Sequence, residues 1–159
     1  MEEVNLAPAL PRAVLDTNVL YSHTRRITLV GLVRLGRFEA IWSSWIVAGL
    51  NRVLTWRWAE RYGIDAMAQR AASVSAKERM IYLPTAFELV DPPLPHPIPW
   101  PELTDASDIP IYGTAIVAGA QYVVTDNLRH SPPRDPATKR RIWNGIEYIT
   151  YNNFIGLVG

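Results

Sequence analysis

The chain has 159 residues, nearly half of them apolar, and a formal net charge of +1; this is the size of one ordinary domain with a real core, and it argues against general disorder. It contains no cysteine, which excludes a disulfide framework, a thiolate zinc site and a cysteine nucleophile. The balanced charge excludes the overall basic excess of a dedicated nucleic-acid binder, so any such contact must come from local clusters: Arg25-Arg26, Arg34 with Arg37, Arg52 with Arg57 and Arg61, and Lys139-Arg140-Arg141. Taken singly, each cluster reads as a solvated face.

The opening "MEEVNLAPALPR" is acidic and broken by Pro8 and Pro11; it reads as an N-terminal arm over 1–11, not as a signal peptide. No run approaches the roughly 18 apolar residues of a membrane span, so a soluble, cytoplasmic protein is expected. Arg12 to Leu15 reads as a short buried strand of the kind found in parallel sheets. After a loop, "ITLVGLVRLGRF" has helical spacing and ends near Gly36. A second strand is expected at Phe38 to Trp42. Ser43 then offers an N-cap to a helix that buries Ile46, Gly49, Leu50, Val53 and Leu54 and stops at Gly63. The Ala-rich "IDAMAQRAASVSAKERM" is helical by propensity, and Ala86 to Val90 is a third strand candidate.

Prolines at 92, 93, 95, 97, 99 and 101 exclude helix or central strand and suit a stiff crossover loop. Asp108 opens "DIPIYGTAIVAGA" as a capping acid, with Pro110 in the first turn and Gly119 near the end. "QYVVTD", Gln121 to Asp126, is the fourth strand. The tail "KRRIWNGIEYITYNNFIGLVG" suggests a helix, a short strand at Ile146 to Ile149 and a terminal helical turn. Strands alternating with helices predict βαβ units and a parallel sheet covered on both faces.

Two strands end alike, "VLDTN" at Asp16 and "VVTDN" at Asp126, and Asp108 starts the helix between them. In an open α/β sheet, ligands bind at the carboxyl ends of the strands, where all three acids would project. Facing one another they would repel unless a cation neutralised them, and hard oxygen ligands suit Mg²⁺ or Mn²⁺. Asn18 and Thr125 would orient the carboxylates. Taken singly, Asp16 reads as an Asx-turn residue, Asp108 as an N-cap and Asp126 as a turn residue; their joint placement is what points to a metal. Arg25 and Arg26 follow the first acid and Arg129 the last, on the rim where RNA phosphates would be met. The three histidines have no metal-ligand spacing. No serine has a nucleophile-elbow context, and Trp56 and Trp58 read as packing residues before base-stacking ones.

With "VLDTNVLYS", "WSSWIVAGLNRVL" and "DASDIPIYGTAIVAGAQYVVTDN" in this order, the chain resembles the PIN-domain family from about Arg12 to Val158. That family comprises small metal-dependent nucleases and includes the VapC toxins of toxin–antitoxin pairs. The resemblance implies one PIN-like domain over 1–159 with a three-layer α/β/α, Rossmannoid fold around a parallel sheet of about five strands. It also implies a cluster of four acids holding Mg²⁺ or Mn²⁺ for hydrolysis of an RNA substrate, an antitoxin partner and a homodimer. Carried over by position, the first acid is Asp16, the third Asp108 and the fourth Asp126. Asp105 is either an extra carboxylate of the site or a solvated loop acid. Gly49 stands where the family's second acid, a helical glutamate, would be. Mid-helix glycine costs about 1 kcal/mol relative to alanine. Close packing and a lost ligand both remain open as its reason, and so do a metal-dependent ribonuclease and a degenerate fold that binds RNA or protein without cutting.

Overall fold

The computed structural model describes residues 9–80, 83–92 and 108–159. The first strand, β1 (Arg12–Leu15), runs directly into a single helical turn, α1 (Thr17–Leu20), and then into α2 (His23–Arg34). Ser22 caps α2 by accepting a hydrogen bond from Arg25 N. The strand β2 (Glu39–Trp42) leads to α3 (Ser44–Tyr62), where Ser43 Oγ accepts from Ile46 N and Gly63, at φ 102°, ends the helix. Next come α4 (Ala66–Met80), a 3-10 turn at Leu83–Thr85, and β3 (Phe87–Leu89). The last part holds α5 (Ile109–Ala118), β4 (Tyr122–Val124), the short β5 (Ile142–Trp143), β6 (Ile146–Ile149) and α6 (Tyr151–Val158). Gly119 ends α5 in the left-handed conformation, at φ 64°, which L-residues with a Cβ adopt only at a cost.

The six strands form one sheet in the order β3-β2-β1-β4-β6-β5. All neighbours are parallel except β5, which runs antiparallel to β6 on the edge. Side chains along a strand alternate between faces, so the sheet has two cores. On one face the Tyr122 ring meets Phe154 of α6, and Phe38 packs edge-on against the Phe154 ring at 4.9 Å. On the other, Tyr148 pairs in register with Val123. Its ring meets Trp143 at 5.5 Å, and Trp143 in turn meets Tyr112 of α5. Both faces are therefore covered by helices, the three-layer α/β/α arrangement.

Strand order fixes where a crevice opens. The chain builds outward from β1 through β2 to β3, then returns to place β4 on the other side of β1. The carboxyl ends of β1 and β4 thus flank the switch point, where neighbouring connections leave in opposite directions.

Three expectations need correction. The loop after β1 is largely helical: α1 begins at Thr17 and α2 at His23, because Asp16 and Ser22 each cap a helix start. The expected helix before Ile146 is instead a hairpin strand. Asn144 and Gly145 both have positive φ, 47° and 77°, the conformation of a two-residue hairpin turn for which Asn-Gly is the favoured pair. The terminal helical turn is a full helix, α6, capped by Thr150. The proline-rich stretch beyond Pro92, Asp105 and the first eight residues lie outside the described residues. No helix among the described residues is long and apolar enough to cross a membrane.

Candidate active site

Asp16 sits one residue past β1, and its amide still donates to Val124 O, continuing the ladder to β4. Its side chain turns back onto the start of α1. Oδ1 accepts from Thr17 N at 2.7 Å, while Oδ2 accepts from Asn18 Nδ2 at 3.1 Å and Thr125 Oγ1 at 2.9 Å. Asn18 Oδ1 accepts in turn from Asp126 N, and Thr125 Oγ1 from Asn127 N. One network therefore joins the first turn of α1 to the loop after β4 and gives the Asp16 carboxylate a single orientation. Burial pushes the Asp16 carboxyl above its ordinary value, and the hydrogen bonds from Thr125, Thr17 and Asn18 only partly oppose this.

Asp108 arrives from the other layer, at the start of α5. It makes no side-chain cap bond to that helix, so the expected capping role does not hold, and its Oδ2 is buried. Asp16, Asp108 and Asn127 line one groove of about 420 Å³, together with Trp45, Arg52 and Arg57 of α3 and with Tyr21. A cavity of about 10 Å³ behind it touches Asp16, Asp108, Thr125, Asn127 and Tyr148.

Asp126 does not join them. Its Oδ2 forms an ion pair with Arg25, and its Oδ1 accepts from Tyr151 N at 3.2 Å. The Arg25 guanidinium lies over the Tyr151 ring, 4.4 Å from its centroid. Asp126 and Arg25 thus fasten α2 to the start of α6. The reason is the early end of β4: the strand stops at Val124, so the turn carries Asp126 outward and brings Asn127 to the groove. Sequence reading extended the strand by two residues and missed Asn127.

Arg26 is also corrected. It is 1% exposed, and its Nη1 donates to Leu20 O and Tyr21 O at 2.7 and 2.8 Å. It satisfies the open carbonyls at the end of α1, a structural role in place of the expected rim position. Arg129 is exposed on the 3-10 turn at Leu128–His130. Among the described residues, no three side chains drawn from His, Cys, Asp and Glu come together as a metal-ligating group.

Gly49 is buried, and a Cβ built on it would lie 2.9 Å from Thr17 Oγ1, a hydroxyl that itself donates to Ile46 O at 3.4 Å. The glycine lets α1 pack closely on α3, which is a physical reason for its presence. The same helical face carries Trp45, Arg52 and Val53, at spacings of four, three and four residues from Gly49. Once Gly49 was placed at the site, these groove residues were within reach of helical periodicity.

A family model of the PIN domain matches residues 12–129, which takes in β1, the groove and the turn after β4. The chain belongs to the PIN-domain family. Comparison with curated proteins finds no match. PIN domains as a class are nuclease-type proteins that depend on divalent metal, and the residues lining the groove of this PIN domain carry hard oxygen donors: the carboxylates of Asp16 and Asp108, with Asn127 beside them. Mg²⁺ is commonly held by one or two carboxylates, retaining waters and completing its shell with substrate phosphate. The donor set fits such an ion with fewer acids than the sequence suggested.

Proposed function

We propose that this PIN domain is a Mg²⁺- or Mn²⁺-dependent ribonuclease that hydrolyses RNA phosphodiester bonds in the cytoplasm. The observation that carries the reading is that Asp16 and Asp108, far apart in sequence, line one groove at the β1/β4 switch point. A divalent cation, when bound, polarises a phosphoryl oxygen and makes a water more acidic. The chain's own contribution is preorganisation. Three donors fix Asp16 before substrate arrives, so little reorganisation is left for the reaction. Asp108 faces it from α5, and Asn127 offers a neutral ligand on the β4 side.

The test is calorimetric titration of Mn²⁺ into wild type and single variants, paired with cleavage of a mixed-sequence RNA. Asp16→Asn and Asp108→Asn should each weaken Mn²⁺ binding by about tenfold or more and abolish cleavage. Asp126→Asn should leave Mn²⁺ affinity within about twofold, because Asp126 does not line the groove that holds Asp16 and Asp108. Unchanged Mn²⁺ affinity in both Asp16→Asn and Asp108→Asn sinks the proposal. On the resemblance to VapC toxins we extend the reading to a homodimeric toxin silenced by an antitoxin. Expression of wild type should then arrest a bacterial host, and Asp16→Asn should not.

A second reading has its own observation. Gly49 puts no acid on that face of α3, and a Cβ there would press on Thr17 Oγ1 at 2.9 Å, so the site has fewer acids than the resemblance implies. That favours a PIN fold that binds RNA or a protein without cutting. RNA binding with no Mn²⁺-dependent cleavage in wild type selects it.

A further inference from the structure

We propose that α3 carries a track for single-stranded RNA into the acid groove: a base stacks on Trp45, and phosphates further along the strand are held by Arg52 and Arg57. The inference rests on the nuclease reading only for the direction of the strand, toward Asp16 and Asp108.

Three observations support it. The first is shared location, since Trp45, Arg52 and Arg57 line the same groove as the two acids. The second is charge. Arg52 and Arg57 are both exposed, and neither is among the arginines that form ion pairs among the described residues; those are Arg12, Arg25 and Arg140. Two guanidiniums without carboxylate partners among the described residues, beside two carboxylates that suit a cation, form a rim that attracts a polyanion. The third is preorganisation. The Arg57 guanidinium lies over the Tyr21 ring, 4.2 Å from its centroid, which holds the planar fork in place while leaving its edge free for phosphate oxygens.

Trp45 decides the class of ligand. It is 51% exposed at the groove, although a Trp in a core role would be covered. Its ring offers a stacking surface to an unpaired base, whereas bases inside a duplex already stack on one another. Helical rise sets Trp45 about 10 Å from Arg52 along the axis, so the contacts are spread over more than a single nucleotide. The overall net charge of +1 agrees with a short local track in place of a general basic surface.

The test uses fluorescence anisotropy with a fluorescein-labelled, mixed-sequence RNA, single-stranded or annealed to its complement, on the intact protein in EDTA. Wild type should bind the single strand about tenfold more tightly than the duplex. Trp45→Ala should weaken single-strand binding about tenfold, with Trp45→Phe restoring most of the loss. Arg52→Gln and Arg57→Gln should each weaken it and lower the slope of log affinity against log salt by about 0.7. Circular dichroism checks the fold of each variant.

Duplex binding as tight as single-strand binding, wild-type affinity in all four variants, or no RNA affinity in wild type each overturns the proposal. So does a change in sedimentation in Trp45→Ala with RNA affinity intact, which would make the stripe a protein interface. Cleavage with Mn²⁺ is scored separately on the same RNA. Trp45-dependent binding without cleavage keeps this track and removes the nuclease reading; cleavage with Trp45-independent binding does the reverse.

Discussion

At the scale of the residue, two positions depart from what their residue type suggests, and each departure has a physical cause. Gly49 lies inside α3, where alanine is ordinarily better by about 1 kcal/mol, yet its missing Cβ is what admits Thr17 Oγ1. Gly49→Ala should therefore destabilise the wild type. In a Thr17→Ala background, where the hydroxyl is gone, it should stabilise by about 0.5–1 kcal/mol. Urea unfolding of the four proteins in this cycle measures the coupling; additive effects would show that the contact is not what holds the glycine. Arg26 looks from sequence like a surface cation but is a structural one. Arg26→Ala should cost about 3 kcal/mol, since it leaves two carbonyls at the end of α1 unpaired and opens a cavity. A surface phosphate contact would instead leave unfolding unchanged and alter only the salt dependence of RNA binding.

At the scale of the element, boundaries decide chemistry. Ending β4 at Val124 instead of Asp126 exchanges which of two adjacent polar residues reaches the groove, because a turn does not preserve the alternation of a strand. The helices α1 and α2 follow β1 with almost no loop, and this brings Asn18 within reach of Thr125. At the far edge, β5 depends on the turn at Asn144-Gly145. A Cβ at Gly145, φ 77°, would meet no neighbour, so Gly145→Ala isolates backbone strain. It should cost about 1 kcal/mol by chemical denaturation. A null result would show that the hairpin contributes nothing to global stability.

At the scale of the whole molecule, the two ends of the sheet do different work. At the amino end, Arg12 bridges Glu39 and Glu88 and donates to Ala118 O, tying four elements through one guanidinium. At the carboxyl end, the Asp16 network gathers donors around a carboxylate that burial disfavours in its charged form. That choice makes global stability depend on pH. In the unfolded chain Asp16 ionises near 3.9, while in the folded protein it holds its proton to higher pH. The native state thus binds more protons in this window, and stability falls as pH rises. The contribution is fully present below the unfolded value and is lost as pH passes the raised folded one. In EDTA, the stability of wild type relative to Asp16→Asn should therefore decline from about pH 4 toward neutrality. Added Mn²⁺ should restore it at neutral pH in wild type and have little effect on Asp16→Asn.

Much of this architecture was legible in local chemistry. Apolar runs located β1, β2, β3, β4 and β6; Ser43 and Gly63 marked both ends of α3; and the strand ends "VLDTN" and "VVTDN" with Asp108 pointed to three acids as a set, of which Asp16 and Asp108 line the groove. These signals survive in one dimension because periodicity, caps and stop residues act within a few positions along the chain. The edge hairpin was also encoded locally, in Asn144-Gly145, the favoured pair for a two-residue turn. Only the tertiary structure decided that Asn127 faces the groove while Asp126 pairs with Arg25, that Arg26 is buried, and that Gly49 makes room for Thr17. Each of these depends on which element lies across from the residue, and that is set by strand order and helix packing between segments as many as 109 residues apart.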